Sequence, residues 1–161
     1  MKPTQTQVLY ALYKKIFGED FNCEDIKHKI RLQKVAFLLY EKRVPCGAYA
    51  FVWDKYGPFS AELSDDMKKI VKTPIPEIDL REPVDKAVDE ISAIIKDHGE
   101  IYDIDKWLEA IASIWYMKRY MHPTFTDGKL ASKLHEYKDY LDSNKENQRA
   151  MKVAKAFFQS N

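Results

Sequence analysis

The sequence predicts a mainly α fold: a compact helical domain of about seven helices with a small two-stranded β ribbon. Three observations point there. Apolar residues recur every three or four positions through seven separate segments. One short aromatic and β-branched run, Ala48-Tyr49-Ala50-Phe51-Val52-Trp53, breaks that period and is bounded by turn residues. Seven helices and one ribbon then leave little of the 161 residues for a larger sheet.

Residues 4–17 read as the first helix, with Thr4 as cap, Val8, Leu9, Leu12 and Ile16 as apolar stripe and Gly18 as stop. Residues 24–42 read as a long central helix. Ile26, Ile30, Val35, Leu38 and Leu39 supply much of its core face, widened by Leu32 and Ala36, before Pro45 and Gly47 close the segment. In the strand over 48–53, Tyr49, Phe51 and Trp53 are expected to share one face. A second short strand near Phe59 completes the ribbon, which needs a helix beneath it to be stable.

A helix follows over 60–72. Residues 73–82 read as an extended crossing, because Pro74 and Pro76 bar a regular helix. Residues 83–98 carry Val84, Val88, Ile91 and Ile95. Residues 105–120, capped by Asp103 or Asp105, carry Trp107, Leu108, Ile111, Ile114 and Trp115. Pro123 breaks the pattern. Residues 127–142 present Leu130, Leu134, Tyr137 and Leu141, and residues 145–159 end the chain with Met151, Ala154, Phe157 and Phe158. A winged-helix-like start is the alternative topology, since it too places a two-stranded wing after a helix.

Composition bounds the function classes. The chain is expected to form one domain over 1–161, with the ribbon near 48–59. Its 26 basic and 25 acidic residues give a net charge of +1, which argues against a large nonspecific nucleic-acid surface but leaves room for a local basic patch. Cys23 and Cys46 match no zinc or redox spacing and read as free thiols of a reducing compartment. No apolar run approaches the ~20 residues needed to span a bilayer, and the first residues lack a signal-peptide stretch. The expected setting is the cytoplasm, with no membrane partner.

The most specific segment is Tyr56-Gly57-Pro58-Phe59-Ser60-Ala61-Glu62-Leu63-Ser64-Asp65-Asp66. Pro58 fixes its own φ and restricts Gly57, which tolerates the restriction without a side-chain penalty. Ser60 is the preferred cap of the next helix, and Glu62 lies in its first turn, where the helix dipole favours an acid. Leu63 and Met67 are expected to point inward, Asp65 and Asp66 outward. Gln33, polar in an apolar helix, is expected to hydrogen-bond the Gly57-Pro58 turn and lock ribbon to helix. The segment reads either as a rigid ribbon-to-helix junction or as a shaped surface in which Tyr56, Phe59 and the first-turn amides form part of a groove.

Arg31-Leu32-Gln33-Lys34-Val35-Ala36-Phe37-Leu38-Leu39-Tyr40, followed by Tyr56-Gly57-Pro58-Phe59-Ser60-Ala61-Glu62-Leu63, resembles the phage-associated SocA/Panacea (DUF4065) superfamily, especially its YwgA-like branch. Leu32, Gln33 and Lys34 match the leucine-glutamine-lysine signature, and Gly57 and Pro58 the glycine-proline turn. Residues 107–117 fit the same branch, so the resemblance covers roughly residues 5–120. It implies a mainly helical fold and a module that binds a partner protein, a toxin in the antitoxin members, which sometimes links it to a protease. It implies no catalytic role for the signature residues. Where many antitoxin members carry a tryptophan-rich segment after the turn, this chain has Ser60-Ala61-Glu62-Leu63.

Chemistry-bearing patterns are sparse. Glu62, Asp65 and Asp66 are the paired-carboxylate candidate for hydrolysis, but neighbours on a helix diverge by about 100° and first-turn acids are usually solvated. His28, His98, His122 and His135 show no i, i+4 pairing or HExxH, and five glycines leave little for a phosphate loop. No catalytic, cofactor-binding or metal-ligating residue is assigned and no cofactor is expected. Arg31, Gln33, Lys34, Tyr56, Gly57, Pro58, Phe59, Ser60 and Glu62 form the candidate interaction or structural motif.

Three readings of function follow. The first is a non-enzymatic protein-interaction module, antitoxin-like or regulatory, with a protein partner. The second is a DNA-binding regulator using Lys27, Lys29, Arg31 and Lys34 on the second helix, or the clusters Lys118, Arg119, His122 and Lys145, Arg149, Lys152, Lys155. The third is a hydrolase using the three acids. Phe157 and Phe158 are expected either to seal the core or to line a homodimer seam.

Overall fold

A computed structural model describes residues 2–44, 46–70 and 77–159. Helix α1 (Gln5–Phe17) starts at a capping box: Thr4 Oγ1 accepts from Gln7 N at 3.3 Å, and Gln7 Oε1 accepts from Thr4 N at 2.8 Å. Gly18, at φ 72°, ends it. Helix α2 (Ile26–Glu41) starts at Asp25, whose carboxylate accepts from Lys27 N at 2.9 Å. Nine of its 16 residues are buried, which makes it a central helix.

Strands β1 (Val52–Asp54) and β2 (Gly57–Phe59) pair antiparallel, Val52 opposite Phe59 and Asp54 opposite Gly57, so Lys55 and Tyr56 form a two-residue turn. Helix α3 (Ala61–Ile70) follows at once, and α4 (Glu82–Lys96) carries Pro83 in its first turn. Helix α5 (Ile104–Tyr116) is capped by Asp103 and runs into a π-helical turn at Met117–Met121. Helices α6 (Asp127–Tyr137), capped by Thr126, and α7 (Asn144–Gln159) complete the chain. The fold is mainly α, with seven α-helices and one two-stranded ribbon among the described residues.

The core forms around α5, nine of whose residues are buried, with α7, α2, α6 and β2 packed on it. The stripes Val84-Val88-Ile91-Ile95 and Trp107-Leu108-Ile111-Ile114-Trp115 are all buried, as expected. Phe157 is buried, and Phe158 stacks on Trp115 at 4.4 Å between ring centroids; both rings pack against the core. No helix of the described residues is long and apolar enough to cross a membrane.

Four expectations are corrected. The strand spans 52–54 rather than 48–53, and Tyr49 does not share a strand face with Phe51 and Trp53. Its hydroxyl donates to Asp66 Oδ2 and accepts from Gln5 Nε2, both at 2.7 Å, and these bonds draw the segment towards α1 and α3 instead of into the ladder. Ile26 is 56% exposed and Ile30 only half-buried, so the first turns of α2 project beyond the core. The helix expected to reach 120 stays α-helical only to Tyr116, because the backbone then widens to π bonding and closes with His122 N donating to Met117 O at 2.7 Å. The helix expected to reach 142 ends at Tyr137: Lys138, at φ −136° and ψ 89°, leaves the helix and carries its amine inward. The expectations for Pro45, for 71–72 at the end of α3 and for Pro74 and Pro76 lie outside the described residues.

Candidate functional site

The hairpin and the start of α3 lie against α2 and are fastened to it by two consecutive side chains. Gln33 is buried and makes a reciprocal pair of bonds with Ser60: Nε2 donates to Ser60 O and Oε1 accepts from Ser60 N, both at 2.8 Å. The amide thus grips the residue after the turn rather than Gly57-Pro58 itself. The turn is held by the next residue, Lys34, whose Nζ donates to Pro58 O at 3.0 Å. Ser60 Oγ accepts from Leu63 N at 3.3 Å and so caps α3, while it donates to Glu62 at 3.2 Å. Leu63 and Met67 are buried, as expected.

Gly57 is required by its surroundings. Its φ is 98°, and a Cβ there would lie 2.6 Å from Ser113 Oγ on α5 and 3.3 Å from Lys34 Cε. The hairpin therefore approaches α5 as closely as a bare backbone allows. Ser113 Oγ is buried without a hydrogen-bond partner beneath it.

A buried ionic group supports the turn from the other side. Lys138 is 3% exposed, and its Nζ lies 3.1 Å from Glu109 Oε2 on α5. The same amine donates to Lys55 O and, at 3.4 Å, to Asp54 O, and lies 5.0 Å from the centre of the Trp53 ring. Tyr140 donates to Glu109 Oε2 and to Lys55 O. Two buried lysines, Lys34 and Lys138, thus face one buried carboxylate. Burial pulls the Lys34 amine down to about 7, and Lys138 adds to the fall while Glu109 and Asp54 oppose it. Burial pushes the Tyr140 hydroxyl well above its ordinary range, and the bond to Glu109 adds to this.

These contacts frame a cleft of 380 Å³ between the first turns of α2, the hairpin turn and α3. Ile26, Ile30, Tyr56, Phe59 and Met67 give it apolar walls, with Gly57, Gln33 and Lys34 also lining it. The size falls within the range of small concave binding sites. The shortfall of α2 from the core thus has a consequence: Ile26 and Ile30 line a surface depression instead.

The other candidate residues do not gather here. Arg31 forms a bidentate pair with Asp105, Nε to Oδ1 at 2.7 Å and Nη2 to Oδ2 at 3.1 Å, and joins α2 to α5. The acids of α3 diverge: Glu62 meets Ser60, Asp65 lies 3.7 Å from Lys68, and Asp66 accepts from Tyr49. Asp65 is exposed as expected, whereas Asp66 is half-buried by its bond to Tyr49. Of the four cations on α2, Arg31 is paired and Lys34 buried, which leaves Lys27 and Lys29. In the C-terminal cluster Arg149 pairs with Glu146 and Asp97, and Lys155 with Asp127. His28 is buried, with Nδ1 accepting from Asn22 N at 3.0 Å. Among the described residues no three His, Cys, Asp or Glu side chains are placed to hold a metal ion.

Compared with known proteins, the chain matches no family model, no curated protein and no solved structure.

Within the cleft the polar ends of Gln33 and Lys34 are engaged by backbone groups, while Lys29, Asp54 and Lys55 add charge to a lining that is otherwise largely apolar. Sequence reasoning missed the Lys34–Glu109–Lys138 group. Its members are more than 25 residues apart in the chain, and the one local signal was a lysine next to an apolar run on α2.

Proposed function

We propose that the protein is a non-enzymatic interaction module, antitoxin-like or regulatory, which holds a partner protein at the cleft between α2, the hairpin turn and α3. The observation that carries this reading is the cleft with apolar walls and Ile26 56% exposed at its edge, in which the polar ends of Gln33 and Lys34 are tied to Ser60 and Pro58. Such a surface offers shape and apolar area for recognition. The resemblance of 31–40 and 56–63 to the SocA/Panacea superfamily supports the same reading.

The test is affinity capture with mass spectrometry from cells that make the protein, comparing wild type with Ile26→Asp. One protein enriched by wild type and depleted at least about tenfold by the variant is the expected result, since a charge in an apolar contact costs ~1–3 kcal/mol. No specific protein, or equal capture by both, contradicts the proposal.

A further inference from the structure

We infer that the partner segment held by the cleft is an acidic peptide, a bulky apolar residue flanked by Asp or Glu. This rests on the reading of the cleft as a protein-binding site and adds the chemistry of its occupant.

Charge complementarity carries the inference. The ionisable residues lining the cleft are Lys29, Lys34, Lys55 and Asp54; with Lys34 turned to Pro58 O, two cations and one anion remain. Lys34 is spent on Pro58 O, whereas neither Lys29 nor Lys55 forms an ion pair among the described residues. Lys55 lies 5.3 Å from the Tyr56 ring centre, its amine resting on an aromatic face at the turn. An apolar depression lined by one cation on α2 and one on the turn matches an extended segment whose apolar side chain enters and whose flanking carboxylates run to Lys29 and Lys55. A basic segment would meet like charge at both lysines.

The experiment selects a displayed library of random twelve-residue peptides on the full-length protein, in parallel with Lys29→Glu/Lys55→Glu, whose fold is checked by circular dichroism and melting. The expected pool carries Asp or Glu beside Leu, Ile, Phe or Trp. A synthetic peptide from it binds the charge-reversed variant about tenfold or more weakly, and binding to wild type weakens with added salt. The inference is overturned by a pool without acidic enrichment, by equal affinity for both proteins, by no enrichment at all, or by octanoate occupying the cleft where no peptide does. A partner captured from cells that binds the charge-reversed variant as tightly as wild type overturns this inference alone, whereas failure to capture any partner contradicts the broader reading.

Discussion

Gln33 on α2 and Ser60 at the head of α3 exchange two hydrogen bonds of 2.8 Å, the side-chain amide pairing with the backbone as a neighbouring strand would. Ser60 O also accepts from Ser64 N at 3.1 Å within the helix, so it keeps a partner if Gln33 is lost; Ser60 N does not. Gln33→Leu therefore strands one buried N–H. Chemical denaturation should show a loss of about 1–3 kcal/mol, the cost of an unsatisfied buried donor. A loss below a few tenths would mean the pair contributes nothing.

Gly57 of the hairpin lies against Ser113 of α5. Gly57→Ala places a Cβ 2.6 Å from Ser113 Oγ at a φ of 98°. Strain and overlap together should cost roughly 2–4 kcal/mol. Ser113→Ala removes an unpartnered hydroxyl, so it should be neutral or slightly stabilising and should recover part of the Gly57→Ala loss in the double variant. Purely additive losses in that double-mutant cycle would show that the two residues do not meet.

Lys34 makes stability depend on pH. Its folded pKa is about 7 against 10.5 for an unburied lysine, so between these values the unfolded chain binds a proton that the folded chain does not. Unfolding free energy then rises with pH, by up to about 1.4 kcal/mol per pH unit for one proton. Above roughly pH 9 the trend is opposed by the Cys46 thiol, which burial pushes up to about 12, and by buried tyrosines such as Tyr140, whose protons the folded state retains. The urea midpoint should therefore climb between about pH 7 and 8.5 in wild type and lie flat in Lys34→Met. A wild-type midpoint that falls over this range contradicts the buried amine.

Glu109 pairs with buried Lys138 at 3.1 Å, and its charge also acts on buried Lys34. Glu109→Gln leaves Lys138 inside the protein without its counter-charge, at a cost of about 3–5 kcal/mol by denaturation. Replacing the pair, Glu109→Gln with Lys138→Met, should cost less than the sum of the two single changes. If the double variant is as unstable as that sum, the two groups are not coupled.

The helices were legible because their stripes face a core on one side, as in Val84-Val88-Ile91-Ile95. Ser60 as a cap and Gln33 as a tie were also readable, since a polar residue inside an apolar helix needs a partner. The ribbon was misplaced because Tyr49 looks like a strand residue, whereas its hydroxyl is claimed by Gln5 and Asp66, 44 and 17 residues away. Ile26 and Ile30 fit the helical period yet sit past the end of the core, which no local pattern reports. The end of α6 was missed because Lys138 gains more by reaching Glu109, 29 positions earlier in the chain, than by extending the helix. Sequence carried the frame of the cleft; its buried charges come from tertiary convergence.

The most direct test of the recognition surface is amide hydrogen exchange of the full-length protein with and without its captured partner. Added protection confined to 26–34 and 52–67, and absent in Ile26→Asp, is the predicted result. Protection confined instead to α6 and α7, with 26–34 and 52–67 unchanged, would contradict the account.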